Sequence, residues 1–120
     1  MKISELKTIP AEDVLAYVKS IHPTGEFNID YTITNHPHWR KTRVPLNRLH
    51  IPNKEGEFTQ DPYNRVQMID MDHVADIDRN DIERRPIVVD TDGHIIDGNH
   101  RALAAKLGGL FDIPAYIPIK

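Results

Sequence analysis

The sequence contains no cysteine, and this absence removes several classes of chemistry. Without a thiol the chain forms no disulfide, uses no thiolate nucleophile and offers no cysteine ligand to zinc. The absence fits a reducing compartment, and we expect a cytoplasmic protein. No apolar run approaches the roughly 18 residues that a membrane-spanning helix needs, and the N-terminus has no apolar signal segment. We therefore expect no membrane partner.

The chain has slightly fewer basic than acidic residues, which limits the basic surface that it can present. Its 120 residues suffice for one domain with a sizeable core, and 15 Lys+Arg against 18 Asp+Glu give a net charge of -3. This balance disfavours a phosphate-binding surface over the whole chain. One stretch is nevertheless basic and free of acids, with Arg40, Lys41, Arg43 and Arg48. It is a candidate for gripping a nucleic-acid backbone, or else a solvated face.

Hydrophobic periodicity predicts a helix and then a strand before residue 40. Four apolar residues recur at helical spacing: Val14, Tyr17, Val18 and Ile21. Strict alternation over 27–34 predicts a half-buried strand, followed by a turn at 35–39. Two turn residues, His36 and His38, could share a metal. Trp39 suits either stacking on a base or a place in the core.

Short strands and helices alternate over the remainder of the chain. Their predicted order is a strand at 44–50, a polar loop at 52–66, a weak helix near 70–77, strands at 86–90 and 94–97, a helix at 99–107 and a strand at 113–119. Asp70 or Asp72 is expected to cap the weak helix, and Asn99 the longer one. Pro114 and Pro118 predict that the last strand lies at an edge of its sheet.

The most informative stretch is the passage from an apolar strand into a helix at 95–102. Gly98 joins the two, and a glycine lets a ligand approach the backbone closely. The first N–H groups of a helix lack partners inside it and carry partial positive charge. His100 and Arg101 add donors at the same point, and the guanidinium fork matches phosphate oxygens. This pattern fits a phosphate site, and it also fits an ordinary first helical turn.

The stretch PIVVDTDGHIIDGNHRALAAKLGGLFDIPAYI resembles the nucleotide-binding domain of the ParB/sulfiredoxin superfamily, in particular ParB-like nucleases. VPLNRL, from Val44, resembles the opening strand of that family, although Asn47 replaces its usual acid. The resemblance covers about 43–117 and implies an α/β (α+β) fold with a small mixed sheet and flanking helices. It places a helix-strand extension at 1–42 before a ParB-like domain at 43–120. Because no helix-turn-helix segment follows, we expect a stand-alone domain.

The resemblance also implies a site. Gly98, Asn99, His100 and Arg101 would bind the phosphates of a nucleoside triphosphate or diphosphate. Arg85, next to Arg84, would complete the cradle or else be an ordinary exposed residue. Sulfiredoxin chemistry is excluded, since that activity needs a cysteine where this chain has Asn99.

Three functions remain open on this resemblance. The favoured hypothesis is a nuclease that hydrolyses phosphodiesters on nucleic acid with Mg²⁺, in which Asp97 and His100 are catalytic and Asp97 holds the metal. Asp97 could instead be a carboxylate that stabilises the turn. The loop acids Glu55, Glu57 and Asp61 are further candidates. The alternatives are a nucleotide-dependent small-molecule kinase and a non-catalytic, nucleotide-switched module that contacts DNA, a partner protein or a second copy of the chain.

Overall fold

A mixed sheet between helices organises the protein. The computed structural model describes residues 8–21, 32–51, 58–60, 66–68 and 70–119. The strands are β1 (Ile9–Pro10), β2 (His38–Pro45), β3 (Phe58–Gln60), β4 (Val66–Met68), β5 (Ile87–Val89), β6 (Ile95–Asp97) and β7 (Asp112–Pro118). The helices are α1 (Ala11–Ile21), α2 (Met71–Asp76), α3 (Arg79–Arg84) and α4 (Asn99–Leu107), and residues 32–34 are also helical. The predicted α/β fold with a mixed sheet is confirmed.

Five strands form the main sheet in the order β1-β2-β7-β5-β6, while β3 and β4 form a separate antiparallel pair. The pairing of β5 with β7 is parallel, and the other pairings in the main sheet are antiparallel. Successive side chains of a strand point to opposite faces. Ile87 and Val89 accordingly pack in the cluster with Ala102 of α4, whereas Val88 packs in the cluster with Val14 of α1. Helices therefore cover both faces of the sheet.

Helix α1 forms where its apolar periodicity predicts it. Val14 and Val18 are buried, and the acids Glu12 and Asp13 lie in the first turn, where the helix dipole favours them. The Tyr17 hydroxyl donates a hydrogen bond to the carbonyl oxygen of Pro86 at 2.6 Å, which ties α1 to the start of β5. Strand β2 crosses residue 42, and the domain boundary expected there stays a prediction.

The segment before β2 differs from expectation. Residues 32–34 are helical, so the end of the strand predicted for 27–34 is wrong, and 27–31 lie outside the described residues. The predicted strand at 44–50 is also wrong beyond Pro45, because Leu46–Arg48 form a 3-10 turn closed by the Leu49 N–H on the Leu46 carbonyl oxygen. The strand instead begins at His38, inside the predicted turn, where it pairs with β7.

The predicted polar loop at 52–66 contains β3, a strand that its polar composition does not indicate. Residues 58–60 pair with 66–68, so a loop is the wrong prediction there. The loop acids Glu55, Glu57 and Asp61 lie outside the described residues. The sequence does not predict this pair of strands, because three-residue strands are too short to show a clear alternation of apolar and polar residues.

Two short helices follow that pair. The weak helix is confirmed as α2, and Asp70 caps it by accepting hydrogen bonds from the N–H groups of Asp72 and His73. Helix α3 was not predicted, although Asp78 and Asp81 form a reciprocal capping box at its start. None of the helices in the described ranges is long and apolar enough to cross a membrane.

Strand β7 lies inside the sheet, between β2 and β5, so the predicted edge position is wrong. The N–H of Ile119 donates to the His38 carbonyl oxygen. Because N–H directions alternate along a strand, residues at even positions, including Pro114 and Pro118, turn toward β5. The parallel contact with β5 is short, with Ile87 opposite Ala115 and Val88 opposite Tyr116. The two prolines flank that contact, so an interior strand tolerates them.

Candidate functional site

Gly98 turns the chain from β6 into α4. Its φ of 109° lies in the left-handed region, and a Cβ at this position would overlap Ile87 Cγ2. Internal packing therefore requires a glycine here whether or not a ligand binds. Asn99 was expected to cap the helix, but Gly98 is the N-cap residue and Asn99 is buried in the first turn. The first helical bond runs from the Ala102 N–H to the Gly98 carbonyl oxygen at 2.9 Å.

A buried ion pair closes this corner. Arg101 Nη2 donates a hydrogen bond to Asp97 Oδ2 at 3.0 Å, and the two residues are only 8% and 6% exposed. Their spacing of four residues spans the turn at Gly98. Arg101 Nε is buried and has no hydrogen-bond partner among the described residues. Asp97 thus neutralises the guanidinium, and one buried donor is left over.

The charges of that ion pair and of Arg85 act on the pKa of Tyr17. Burial raises the pKa of Tyr17 to about 12, because the phenolate loses its hydration. Arg101 and Arg85 act against this rise of the pKa, whereas Asp97 adds to it. Arg85 is exposed at the end of α3 and precedes β5, whose Val88 pairs with Asp97. Arg85 therefore acts on the same tyrosine as Arg101, and its place in a phosphate cradle stays a prediction.

His100 faces the neighbouring helix α2. Its Nε2 accepts a hydrogen bond from the Asp70 N–H at 3.2 Å, and its ring lies 4.6 Å from the ring of His73. The contact joins α4 to α2, and it gives His100 a structural role.

The basic stretch does not reach the corner. Strand β2, which carries most of it, is separated from β6 by β7 and β5, so the two lie about 14 Å apart at the usual strand spacing. Alternation puts Arg40 on the face opposite Lys41, and both are exposed, as is Arg48. Arg43 forms ion pairs with Glu83 and Asp112, each at 2.8 Å.

Trp39 belongs to the core. It is fully buried, and its Nε1 donates to the His36 carbonyl oxygen at 2.7 Å. The stacking of Trp39 on a nucleic-acid base is therefore a wrong interpretation. In the described ranges, His36 and His38 belong to no group of three metal-ligating side chains.

A second polar cluster lies at the turn between β5 and β6, and we call Asp90, Asp92 and His94 the turn cluster. One potential ligand atom from each of the three lies within 4.8 Å of the other two. Asp90 is 7% exposed, and its Oδ1 accepts from the N–H groups of Asp92 at 2.8 Å and of His94 at 2.9 Å. His94 Nδ1 is buried without a hydrogen-bond partner, 3.7 Å from Asp90 Oδ2.

His50 packs against the turn cluster. Its ring stacks on that of His94 with centroids 4.2 Å apart and planes 7° apart, and its backbone N–H donates to the Gly93 carbonyl oxygen at 3.1 Å. His50 also lines a groove of about 570 Å³ together with Leu46, Lys106 and Phe111. The turn cluster therefore lies beside a concave surface.

The sequence interpretation missed the turn cluster, although a signal was present. Asp90, Asp92 and His94 alternate around a tight Asp-Gly turn, and only the turn was used in the prediction. The turn reverses the chain and places Asp90 opposite His94, whose carbonyl oxygen accepts the Asp90 N–H at 3.0 Å, so metal-ligating residues on both sides of such a turn come together.

Comparisons of the chain with models of protein families, with curated proteins and with solved structures find no match. The resemblance to the ParB/sulfiredoxin superfamily therefore stays a prediction.

Proposed function

We propose that the chain is a phosphate-binding domain that takes a nucleotide or the backbone of a nucleic acid at the start of α4. The observation that carries the proposal is the buried Nε of Arg101, a donor without a partner among the described residues. Buried donors in folded proteins are nearly always bonded, so an orphan at a helix N-terminus suggests a bound acceptor. A phosphate oxygen is the acceptor that a helix start and a guanidinium both favour.

Arg85 supplies the charge that the corner otherwise lacks. Asp97 neutralises Arg101, and a phosphate dianion needs further positive charge. Arg85 is exposed and lowers the pKa of Tyr17 together with Arg101, whereas the adjacent Arg84, also exposed, is not among the groups that shift that pKa. The two arginines thus form a matched pair, of which only Arg85 belongs to the proposed site.

Binding is better supported than turnover. Both groups predicted as catalytic have internal contacts, Asp97 with Arg101 and His100 with the Asp70 N–H. Hydrolysis of nucleic acid with Mg²⁺ and transfer of phosphate to a small acceptor remain predictions, as does a location in the cytoplasm. Metal-dependent loss of labelled DNA would reveal the first activity, and consumption of ATP that requires an acceptor would reveal the second.

The test is a thermal-shift titration of the full chain in Mg²⁺ with CTP, ATP, ADP, GTP or a short single-stranded DNA. A ligand that binds only the native state adds about 2.7 kcal/mol of stability at a hundredfold excess over its Kd. We expect one of these ligands to raise the Tm. Arg85→Ala should weaken its binding about tenfold or more, the effect of losing a charged hydrogen bond, and Arg84→Ala should leave it unchanged.

Two outcomes would contradict the proposal. One is the absence of any shift with all five ligands. The other is a shift that Arg85→Ala and Arg84→Ala weaken equally, because that result indicates attraction by diffuse charge. Arg101→Ala is a poorer probe, since it leaves Asp97 buried without its cation and threatens the fold itself.

A further inference from the structure

We propose that Asp90, Asp92 and His94 form a binding site for a divalent transition metal of the zinc type. The proposal rests on the mutual approach of three different ligand atoms and on the buried, unpartnered Nδ1 of His94. It is independent of the proposed phosphate site, which lies at the other end of the β5–β6 hairpin, about 10 Å away for the three residues from His94 to Asp97.

The distance between Asp90 Oδ2 and His94 Nδ1 is too long for a hydrogen bond and suits two ligands of one ion. At 3.7 Å the pair lies beyond hydrogen-bonding range. Two ligands held about 2.0–2.1 Å from a tetrahedral zinc ion lie about 3.4 Å apart. A small inward movement of either side chain would complete that geometry, and the ion would give the buried nitrogen of His94 the partner it lacks.

The composition of the turn cluster selects the class of metal. An imidazole with two carboxylates suits Zn²⁺, Co²⁺ or Ni²⁺, while Mg²⁺ prefers an octahedron of oxygens and keeps several waters. Three protein ligands leave a fourth tetrahedral position for water or a substrate, as in catalytic zinc sites. Since His50 lies against His94 and lines the adjacent groove, that position would be close to a concave surface.

The surrounding contacts orient two of the three ligands, Asp90 and His94, before any metal binds. Two N–H groups hold Asp90 through its Oδ1, and His50 stacks flat on the ring of His94. The turn itself is clamped, because Gly93 has a φ of 86° and a Cβ there would overlap the Arg48 carbonyl oxygen. Ligands oriented by outer contacts bind metal more tightly than mobile ones, so Asp90 and His94 are already organised for binding.

The experiment measures metal binding to the full chain, freed of metal by a chelator, by calorimetry with Zn²⁺ and by visible absorption with Co²⁺. We expect one saturable site and the intense d–d bands of tetrahedral Co²⁺, with Mg²⁺ unable to compete. Asp92→Asn and His94→Gln should each weaken binding on the order of 100-fold. Circular dichroism of each variant shows whether it is folded.

Two control variants replace the same residue types outside the turn cluster. Asp72→Asn changes an exposed acid on α2, and His38→Asn changes an exposed histidine of the other candidate pair, His36 and His38. Both should bind Zn²⁺ like the original protein.

Several results would overturn the proposal. They are no saturable binding of Zn²⁺ or Co²⁺, binding that survives both Asp92→Asn and His94→Gln in folded protein, and binding that His38→Asn removes. Because the phosphate proposal is tested with Arg85→Ala, either proposal can fail while the other stands.

Discussion

The two ends of the β5–β6 hairpin use charged side chains in opposite ways. At the corner, Asp97 and Arg101 are buried and form an ion pair with each other. At the turn, the carboxylate of Asp90 is buried but organised by backbone N–H groups, and Asp92 is exposed beside it. The comparison teaches that the ion pair at the corner supports the fold and leaves one buried donor, Arg101 Nε, for a ligand, whereas the turn cluster brings three potential metal ligands together.

The largest effect should come from breaking the corner. Asp97→Asn leaves Arg101 buried without its counter-charge, and we expect a loss of about 3–5 kcal/mol in the free energy of unfolding, measured with urea. The double variant Asp97→Asn/Arg101→Met should recover much of that loss, because no unpaired charge remains. Glu83→Gln, which breaks an exposed ion pair with Arg43, is the control and should have a far smaller effect.

A small loss for Asp97→Asn, similar to that for Glu83→Gln, would contradict the comparison. It would mean that water reaches Arg101 and that the corner is as open as the turn.

The sequence predicted the elements of this hairpin well, because its signals are local. The apolar run at 87–89 and the Asp-Gly turn each specify a conformation through a few neighbouring residues, and the glycines at 108 and 109 do the same for the end of α4. The pairing of Asp97 with Arg101 had a local signal too, a spacing of four residues. Its burial was not predictable, since it depends on the packing of α4 against the sheet.

Sheet order was not predictable from local patterns. The two prolines of β7 correctly indicate missing donors, but only the pairing partners reveal that those positions lie beyond the short contact with β5. The contacts within the candidate site were not predictable from local patterns either. His100 looks like a phosphate ligand in the sequence, and its contact with the Asp70 N–H depends on a helix thirty residues earlier in the chain.

An intermediate effect should come from Tyr17, which joins α1 to the corner. Tyr17→Phe removes the hydrogen bond to the Pro86 carbonyl oxygen, and we expect a loss of about 1 kcal/mol. Because the pKa of Tyr17 is raised to about 12, its contribution is complete below about pH 10, the usual tyrosine pKa. It is lost as the pH rises from there through about 12.

Ultraviolet titration of tyrosinate checks this assignment. The original protein should show a component near pH 12 that Tyr17→Phe lacks. Removing the negative charge with Asp97→Asn should lower the pKa of Tyr17, because Asp97 contributes to raising it. A titration in which all four tyrosines ionise near pH 10 would show that the corner is hydrated.

The smallest effect on stability should come from the turn, and it is the most informative one for the comparison. Asp92 contributes its N–H to Asp90, and its own side chain is exposed. Asp92→Asn keeps that N–H and places another good turn residue at the same position, so without metal we expect a change within about 0.5 kcal/mol. With Zn²⁺, the Tm of the original protein should rise and that of the variant should not.

If Asp92→Asn instead destabilises the metal-free protein as strongly as Tyr17→Phe, the carboxylate of Asp92 stabilises the fold and the two ends of the hairpin do not differ. A neutral substitution that abolishes the zinc-dependent rise would show that the turn keeps a carboxylate that the fold does not need.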